Sequence, residues 1–417
     1  MKIIYLHQYF NTPSMSGGTR SYEFAKRLVQ RGHEVHIITS WCKETNQQNW
    51  FTTIEDGINV HWYPNAYSNK MSFQQRIAAF LKFSFVAASK AASIKADLIF
   101  ATSTPLTIAL PAVYAARRQK IPMVFEVRDL WPEVPIAMEI LKKPLHKHFA
   151  KKLESWAYRN SKAIIALSPG MKEGIVSTGY PSDKIAVIPN SSDNNVFEVN
   201  AEQVAIYRHS IPWLHNNPLL IYTGTFGFVN DVGYIIPIAQ ELMRFNSNIK
   251  ILLVGDGAEF DQVKKLAIEK NVFEKNVFFK KQVPKREIPL ILGAATLASS
   301  FARDLPAIQA NSANKFFDAL AASKPILINY GGWQKDIIEK NECGIVIWKD
   351  SPTQAAEKII EFINDRHKLE AASRAAKKLA LHQFSRDILA NQFEQVLQYA
   401  VSAEGKSPQQ ITSEFYD

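Results

Sequence analysis

Cysteine is nearly missing: the 417 residues hold two, Cys42 and Cys343. Two distant thiols cannot build a disulfide framework or a zinc site, which need several ligands at fixed spacing. Long apolar runs are absent as well. No stretch reaches the roughly 18 uninterrupted apolar residues that a membrane-crossing helix needs. The opening MKIIYLHQYFNTP turns polar too soon for a secretory core, so a cytoplasmic location is expected. No DxD, Walker A, GxSxG or HExxH pattern occurs, and the ten histidines are scattered. The chain therefore carries no motif for a carboxylate-held metal, a P-loop, a serine hydrolase or a zinc protease.

What is present is ordinary globular composition, 47% hydrophobic and 21% charged, which excludes disorder, collagen and coiled coil for the chain as a whole. The length exceeds what one hydrophobic core usually serves, so two domains are expected. Charge is unevenly placed. Residues 1–200 carry 24 Lys and Arg against 15 Asp and Glu, while the rest carry 25 against 24. Nearly all of the net +10 thus lies in the first half, as expected if that half faces something anionic.

Short apolar runs alternate with helical patterns throughout. The runs are 2–8, 34–40, 58–63, 97–102, 122–127 and 162–168, then 218–224, 249–255, 276–280, 295–300, 324–330 and 344–348. Such runs read as strands of a parallel sheet covered on both faces. The polar segment around 185–200 breaks the pattern before it restarts. The spacing predicts two doubly wound α/β domains, Rossmann-like, facing across a cleft: residues 1–195 and residues 196–400, with helices near 383–400 returning to the first. Residues 401–417 read as a frayed tail.

Several constellations could carry chemistry. Gly17 and Gly18 sit between the first strand and a helix, where backbone N–H groups can approach a phosphate. The segment Ser312 to Ala322 is the most specific feature. Ser or Asn there supplies a helix N-cap, Lys315 lies in the first turn, and Asp318 follows three residues on along the same side. A lysine in a first turn opposes the helix dipole unless an anion sits there. The bland reading is a solvated Lys/Asp pair, but the following strand and Gly331-Gly332 loop favour a ligand. Glu126 to Glu133 places three carboxylates and Arg128 directly after a strand, where open α/β sheets bind ligands; a salt-bridged loop explains it equally well. Residues 72–95 and 141–159 set basic side chains beside apolar stripes, suiting an anionic membrane surface. Each stripe alone is more simply core, yet both fall in the basic half. No nucleic-acid module is apparent.

Taken together these residues resemble family 4 of the retaining glycosyltransferases, along nearly the whole chain. The motifs are Gly17-Gly18, the strand into Asp129-Leu130-Trp131-Pro132, Pro189-Asn190 with Asp193 and Phe197, Gly224 with Gly227, Gly255-Asp256-Gly257, and Asn314-Lys315 through Pro325. The likeness is greatest to the bacterial O-antigen and capsule branch that includes N-acetylfucosaminyl transferases. The resemblance implies a GT-B fold whose first domain takes the acceptor and whose second takes the nucleotide sugar. It implies that Arg128, Asp129 and Glu133 serve the reaction, Asp129 and Glu133 by orienting the acceptor hydroxyl. Gly17, Gly18, Gly224, Gly227, Arg303, Asn314, Lys315, Asp318, Gly331 and Gly332 would lie along the donor, with Lys315 on the diphosphate and Asp318 on the ribose.

By the same resemblance, catalysis needs no metal or cofactor, because helix dipoles and basic side chains stabilise the leaving diphosphate. The implied partners are a UDP-sugar and a polyprenyl-diphosphate-linked saccharide, at the inner face of the plasma membrane and without nucleic acid. The chain departs from the family at several points. Ala310 and Asp318 stand where two glutamates are common, Thr225 and Asn230 where an Arg and a Lys are usual, and Arg128 where a His is common. Arg303, Lys315 and the glycine-loop amides are the candidates to replace the two missing cations. A UDP-sugar epimerase of the same architecture and a non-catalytic lipid- or glycan-binding scaffold are the alternatives.

Overall fold

A computed structural model describes residues 1–15, 17–67 and 71–413; the Phe73 side chain also lies outside the described residues. The expectations placed on Phe73 and on 414–417 therefore have no structural counterpart. The chain forms two compact units, residues 1–189 with 387–417, and residues 190–386.

The strands of the first unit are β1 (Lys2–Leu6), β2 (Glu34–Trp41), β3 (Phe51–Glu55), β4 (Ile58–Pro64), β5 (Leu98–Thr102), β6 (Met123–Val127), β7 (Ala163–Ala166) and β8 (Ile185–Val187). They pair in the order β3-β4-β2-β1-β5-β6-β7-β8. Every pairing is parallel except β3 with β4. Tyr5 of β1 lies between Ile37 and Phe100. Strands β5, β6 and β7 are buried at every position, which is why they read as continuous apolar runs. The helices used below are α1 (Arg20–Gln30), α2 (Phe73–Ser93), α3 (Ala109–Gln119), α4 (Glu133–Ala137) and α5 (Pro144–Arg159).

Strand β3 was not foreseen. Its hairpin turns at Asp56-Gly57, both at positive φ (48° and 83°), as a two-residue loop between right-twisted strands requires. Its residues are half-buried or exposed, so it lacks the apolar run that marks the other strands.

Helix Arg386–Ser402 packs onto the first unit, with Phe393 4.9 Å from Phe24 and 4.8 Å from Phe100 between ring centroids. The described part of the tail beyond it, to residue 413, is not frayed. A Ser407/Gln410 capping box starts helix Pro408–Thr412, Ile411 is buried in the core, and Val187 N–H donates to Thr412 Oγ1 at 3.1 Å. A local capping box, one long-range hydrogen bond and one buried isoleucine dock a segment whose polar composition suggested disorder.

The second unit comprises β9 (Leu219–Thr223), β10 (Lys250–Val254), β11 (Val277–Lys280), β12 (Leu297–Ser300), β13 (Ile326–Ile328) and β14 (Gly344–Val346). Its sheet runs β11-β10-β9-β12-β13-β14, all parallel. Residues 190–195 go with this unit: Asn190 bonds Ser312, and Arg386 pairs with Asp193 at 3.2 Å. Both sheets are Rossmann-like. Each reverses its strand order once, beside β1 and β5 in one unit and beside β9 and β12 in the other. Such switch points hold ligands at the carboxyl ends of the strands.

Candidate active site

At the switch point of the first unit, β1 ends in His7, β5 in Ser103-Thr104 and β6 in Arg128-Asp129. Arg128 N–H donates to Ser103 Oγ at 2.9 Å, and its Nη1 donates to His7 Nε2 at 3.3 Å. His7 is buried, its Nδ1 has no partner among the described residues, and burial with the nearby Arg128 charge holds it neutral, well below the usual imidazole range. Thr104 donates to Asp129 Oδ2 at 3.3 Å. Burial raises the Asp129 carboxyl while Arg128 opposes the rise. Thr104 itself sits at φ +90°, a strained backbone for a β-branched residue and the kind held in place at functional loops. The structure thus gathers Arg128 and Asp129 with His7, which sequence reasoning passed over. The visible signal was a polar His-Gln pair ending an otherwise apolar strand.

Glu126 and Glu133 part company from this group. Glu126 is fully buried within β6, where Arg20 Nε donates to it at 2.9 Å and Thr102 donates to its second oxygen at 2.7 Å. The remaining Arg20 nitrogens donate to the carbonyls of Ile188 and Pro189. The pair is a structural staple between α1, β6 and β8. Glu133 opens α4, with one carboxylate oxygen buried and unpartnered among the described residues. Its charge bears on Glu154, which burial first and Glu133 second push up to about 8. Gly17 and Gly18 are exposed before α1, and a Cβ on Gly17 would meet Asn11 at 2.7 Å.

In the second unit the switch point brings together Gly224, Asn230 and Lys315. Helix Asn314–Ala321 is capped by Ala313, which has no side-chain acceptor, so the Ser or Asn cap read from sequence is not formed. Ser312 instead accepts Asn190 N–H at 3.0 Å, and exposed Asn314 is already the first helical residue. The first amides of the helix lack a side-chain cap. Lys315, half-buried in that first turn, donates to Asn230 Oδ1 at 3.1 Å and lies 5.3 Å from the Tyr222 ring. It makes no ion pair among the described residues, and burial brings its ammonium down to about 8 against the pull of Asp318. Gly224 sits at φ +149°, a backbone strained for any side chain, and a Cβ there would also displace Lys315 Cε, 2.3 Å away. Asp318 accepts from the Ser192 hydroxyl, and burial raises its carboxyl.

The other donor-side expectations find different surroundings. Arg303 donates to Phe228 O at 3.0 Å and faces Asp231 and Glu259 at 3.5 and 3.7 Å, so its charge already has carboxylate neighbours. Gly331 and Gly332 are accounted for by packing: a Cβ would meet the Trp348 ring at 2.8 Å and Gln309 O at 2.4 Å respectively. A Cβ on Gly227 would make only ordinary contacts, with Asn230 Nδ2 at 3.6 Å and Thr225 Cγ2 at 3.7 Å. No group of three His, Cys, Asp or Glu converges to hold a metal among the described residues.

Family models match both units. Residues 17–195 match Glycosyltransferase Family 4, and residues 204–379 match Glycosyl transferases group 1. The chain belongs to these GT-B glycosyltransferases.

An uncharacterized glycosyltransferase of Methanocaldococcus jannaschii is 22% identical over 246 residues, 58% of this chain. That match spans 61% of the relative's length. Among solved structures, HepE of Anabaena in complex with UDP and glucose aligns with TM-score 0.70 at 17% identity, covering 95% of this chain and 99% of that one. Sucrose-phosphate synthase of Thermosynechococcus elongatus aligns with TM-score 0.77 at 15% identity, covering 97% of this chain and all of that one. At such identities the likeness shows the fold.

In this glycosyltransferase the basic stripes divide. On α2, Phe80 and Phe83 are core, while Leu81 and Phe85 are exposed, Phe85 by 83%. On α5, Leu145 and Phe149 are 62% and 60% exposed, among exposed Lys142, Lys143, Lys151 and Lys152. No helix among the described residues is long and apolar enough to cross a membrane.

Proposed function

We propose that this glycosyltransferase moves a sugar from UDP onto a polyprenyl-diphosphate-linked saccharide, with retention, in O-antigen or capsule assembly at the inner face of the plasma membrane. The sugar assigned first is N-acetyl-L-fucosamine, on the sequence resemblance. One observation carries the donor reading. Lys315 is a half-buried cation without an ion-pair partner among the described residues, set in the uncapped first turn of a helix beside Gly224. Helix amides and an ammonium at one point make a diphosphate site.

Lys315 reaches Asn230, where the family usually has its own lysine, so a cation from the helix takes the place of the one missing from the loop. The UDP complex of HepE, of the same fold, supports a uridine nucleotide as the donor. Asp318 is assigned to the ribose and Asp129 to the acceptor hydroxyl. The apolar and basic surface of α5 suits a lipid-borne acceptor. Metal is not required in this reading.

Calorimetric titration with UDP, GDP and ADP in metal-free buffer tests it. A clear UDP preference is expected, with Lys315→Ala weakening UDP at least tenfold, about 1.4 kcal/mol. Binding of none of the three would sink the donor assignment. The scaffold reading would then take its place, favoured by the Thr225 and Ala310 departures.

A further inference from the structure

The first unit holds a second concentration of positive charge, at the opposite ends of the strands from Arg128 and Asp129. A cavity of about 370 Å³ opens at the amino-terminal ends of β6 and β7. Arg117, Lys120, Arg159 and Lys162 line it, with Asn160 between them and no carboxylate in the lining. Three elements supply the cations. Arg117 is in the last turn of α3 and Lys120 is its left-handed C-cap at φ +58°; Arg159 ends α5, and Lys162 leads into β7.

The two guanidiniums are held by neutral acceptors. Arg117 Nη2 donates to Asn160 Oδ1 at 2.7 Å, and Arg159 Nε donates to Ser155 O at 3.2 Å. Each keeps further N–H groups to offer. None of the four cations makes an ion pair among the described residues, whereas Arg20, Arg27, Arg31, Arg303 and Arg386 all have carboxylate partners. Basic residues at helix C-termini are often explained by the helix dipole. Here that explanation falls short: two termini supply roughly half a negative charge each, against four full positive charges. The four side chains are exposed, so water screens much of their mutual repulsion, and the surplus positive charge stays available to a multiply charged anion. Fork-shaped guanidiniums match phosphate oxygens in particular.

We infer that this pocket binds a phosphate or diphosphate group, belonging either to a soluble phosphorylated metabolite or to a lipid headgroup. The pocket shares no residue with the proposed donor and acceptor sets and does not depend on their assignment. It also accounts for part of the excess charge in the first half of the chain.

The test uses the full chain at low ionic strength. Sodium pyrophosphate is titrated calorimetrically into the wild type, the Arg117→Gln/Arg159→Gln variant and the Lys120→Gln/Lys162→Gln variant, with thermal melts confirming that each is folded. We expect at least tenfold weaker pyrophosphate binding in the arginine variant and a smaller loss in the lysine variant, with UDP titration unchanged in both. Flotation on phosphatidylglycerol vesicles, against phosphatidylcholine, separates the two sources. Reduced flotation of the variants assigns the site to headgroups; unchanged flotation beside lost pyrophosphate binding assigns it to a soluble phosphate. Equal pyrophosphate affinity in the wild type and both folded variants would overturn the inference.

Discussion

The two units answer the same physical problem in opposite ways. Each places a cationic side chain in the opening turn of a helix beside its sheet's switch point. In the first unit Arg20 is 5% exposed and meets Glu126, itself fully buried, with two backbone carbonyls taking up the remaining guanidinium. In the second, Lys315 meets a neutral amide and an aromatic face. A buried cation whose every nitrogen is engaged by the protein is structural, because little is left to offer a ligand. A cation kept from water without a counter-ion is costly at rest and becomes favourable only when an anion arrives. The comparison teaches that the partner, more than the charge, separates a staple from a binding group.

The largest expected effect breaks the staple. Glu126→Ala strands the Arg20 charge inside the first unit and should cost about 3–5 kcal/mol in chemical denaturation. UDP affinity at a denaturant-free baseline should not change. A loss below about 1 kcal/mol would mean that Arg20 finds water instead, and the contrast with Lys315 would collapse.

Next comes the reverse experiment. Lys315→Met removes a cation with no ion pair among the described residues, so UDP binding should weaken at least tenfold while the melting temperature at pH 7 holds or rises. The sign follows from linkage. The folded ammonium titrates near 8, below its ordinary value of 10.5, so at neutral pH the unfolded chain is the better proton binder. A drop in melting temperature would show that Lys315 is part of the scaffold.

The same group sets a pH dependence. UDP affinity should be level below about pH 8 and fall above it, by no more than tenfold per pH unit for a single proton. Lys315→Arg, which stays charged, should flatten the fall. A profile that bends the same way in both proteins would assign the titration elsewhere.

Two smaller effects sharpen the comparison at its margins. Thr412→Val removes the acceptor for Val187 N–H in the docked tail and should cost about 1 kcal/mol of the first unit's stability. Gly227→Ala adds a methyl at ordinary contact distance from Asn230 and Thr225 and should change stability by less than about 0.5 kcal/mol, whereas Gly224→Ala should disturb Lys315 and with it UDP binding.

Much of the fold was legible because its signals are local. The strands within DLIFAT and PMVFEV are buried at every position since both sheet faces are covered, and apart from Thr102 and Glu126 their residues are apolar. Strand β3 escaped for the complementary reason: an antiparallel edge strand with exposed residues carries no such run, and only its Asp56-Gly57 turn announced it. The tail escaped because docking rests on Ile411 and Thr412 meeting β8, a contact between positions more than 200 residues apart. In the candidate site, the opposition of Lys315 to its own helix dipole was visible in the sequence. Its reach to Asn230, 85 positions earlier, was not.

The sequence by itself determined two α/β units of parallel strands, the concentration of positive charge in the first half, and the presence of an ill-placed lysine at one helix start. These depend on periodicity and composition, which neighbouring residues display. The tertiary structure alone decided which charges are closed and which are open. Arg20 and Lys315 look alike along the chain, each in a helix's first turn. Folding brings Glu126 to one and a neutral asparagine to the other, and the electrostatics of a half-dry interior turn that difference into a staple and a candidate anion site.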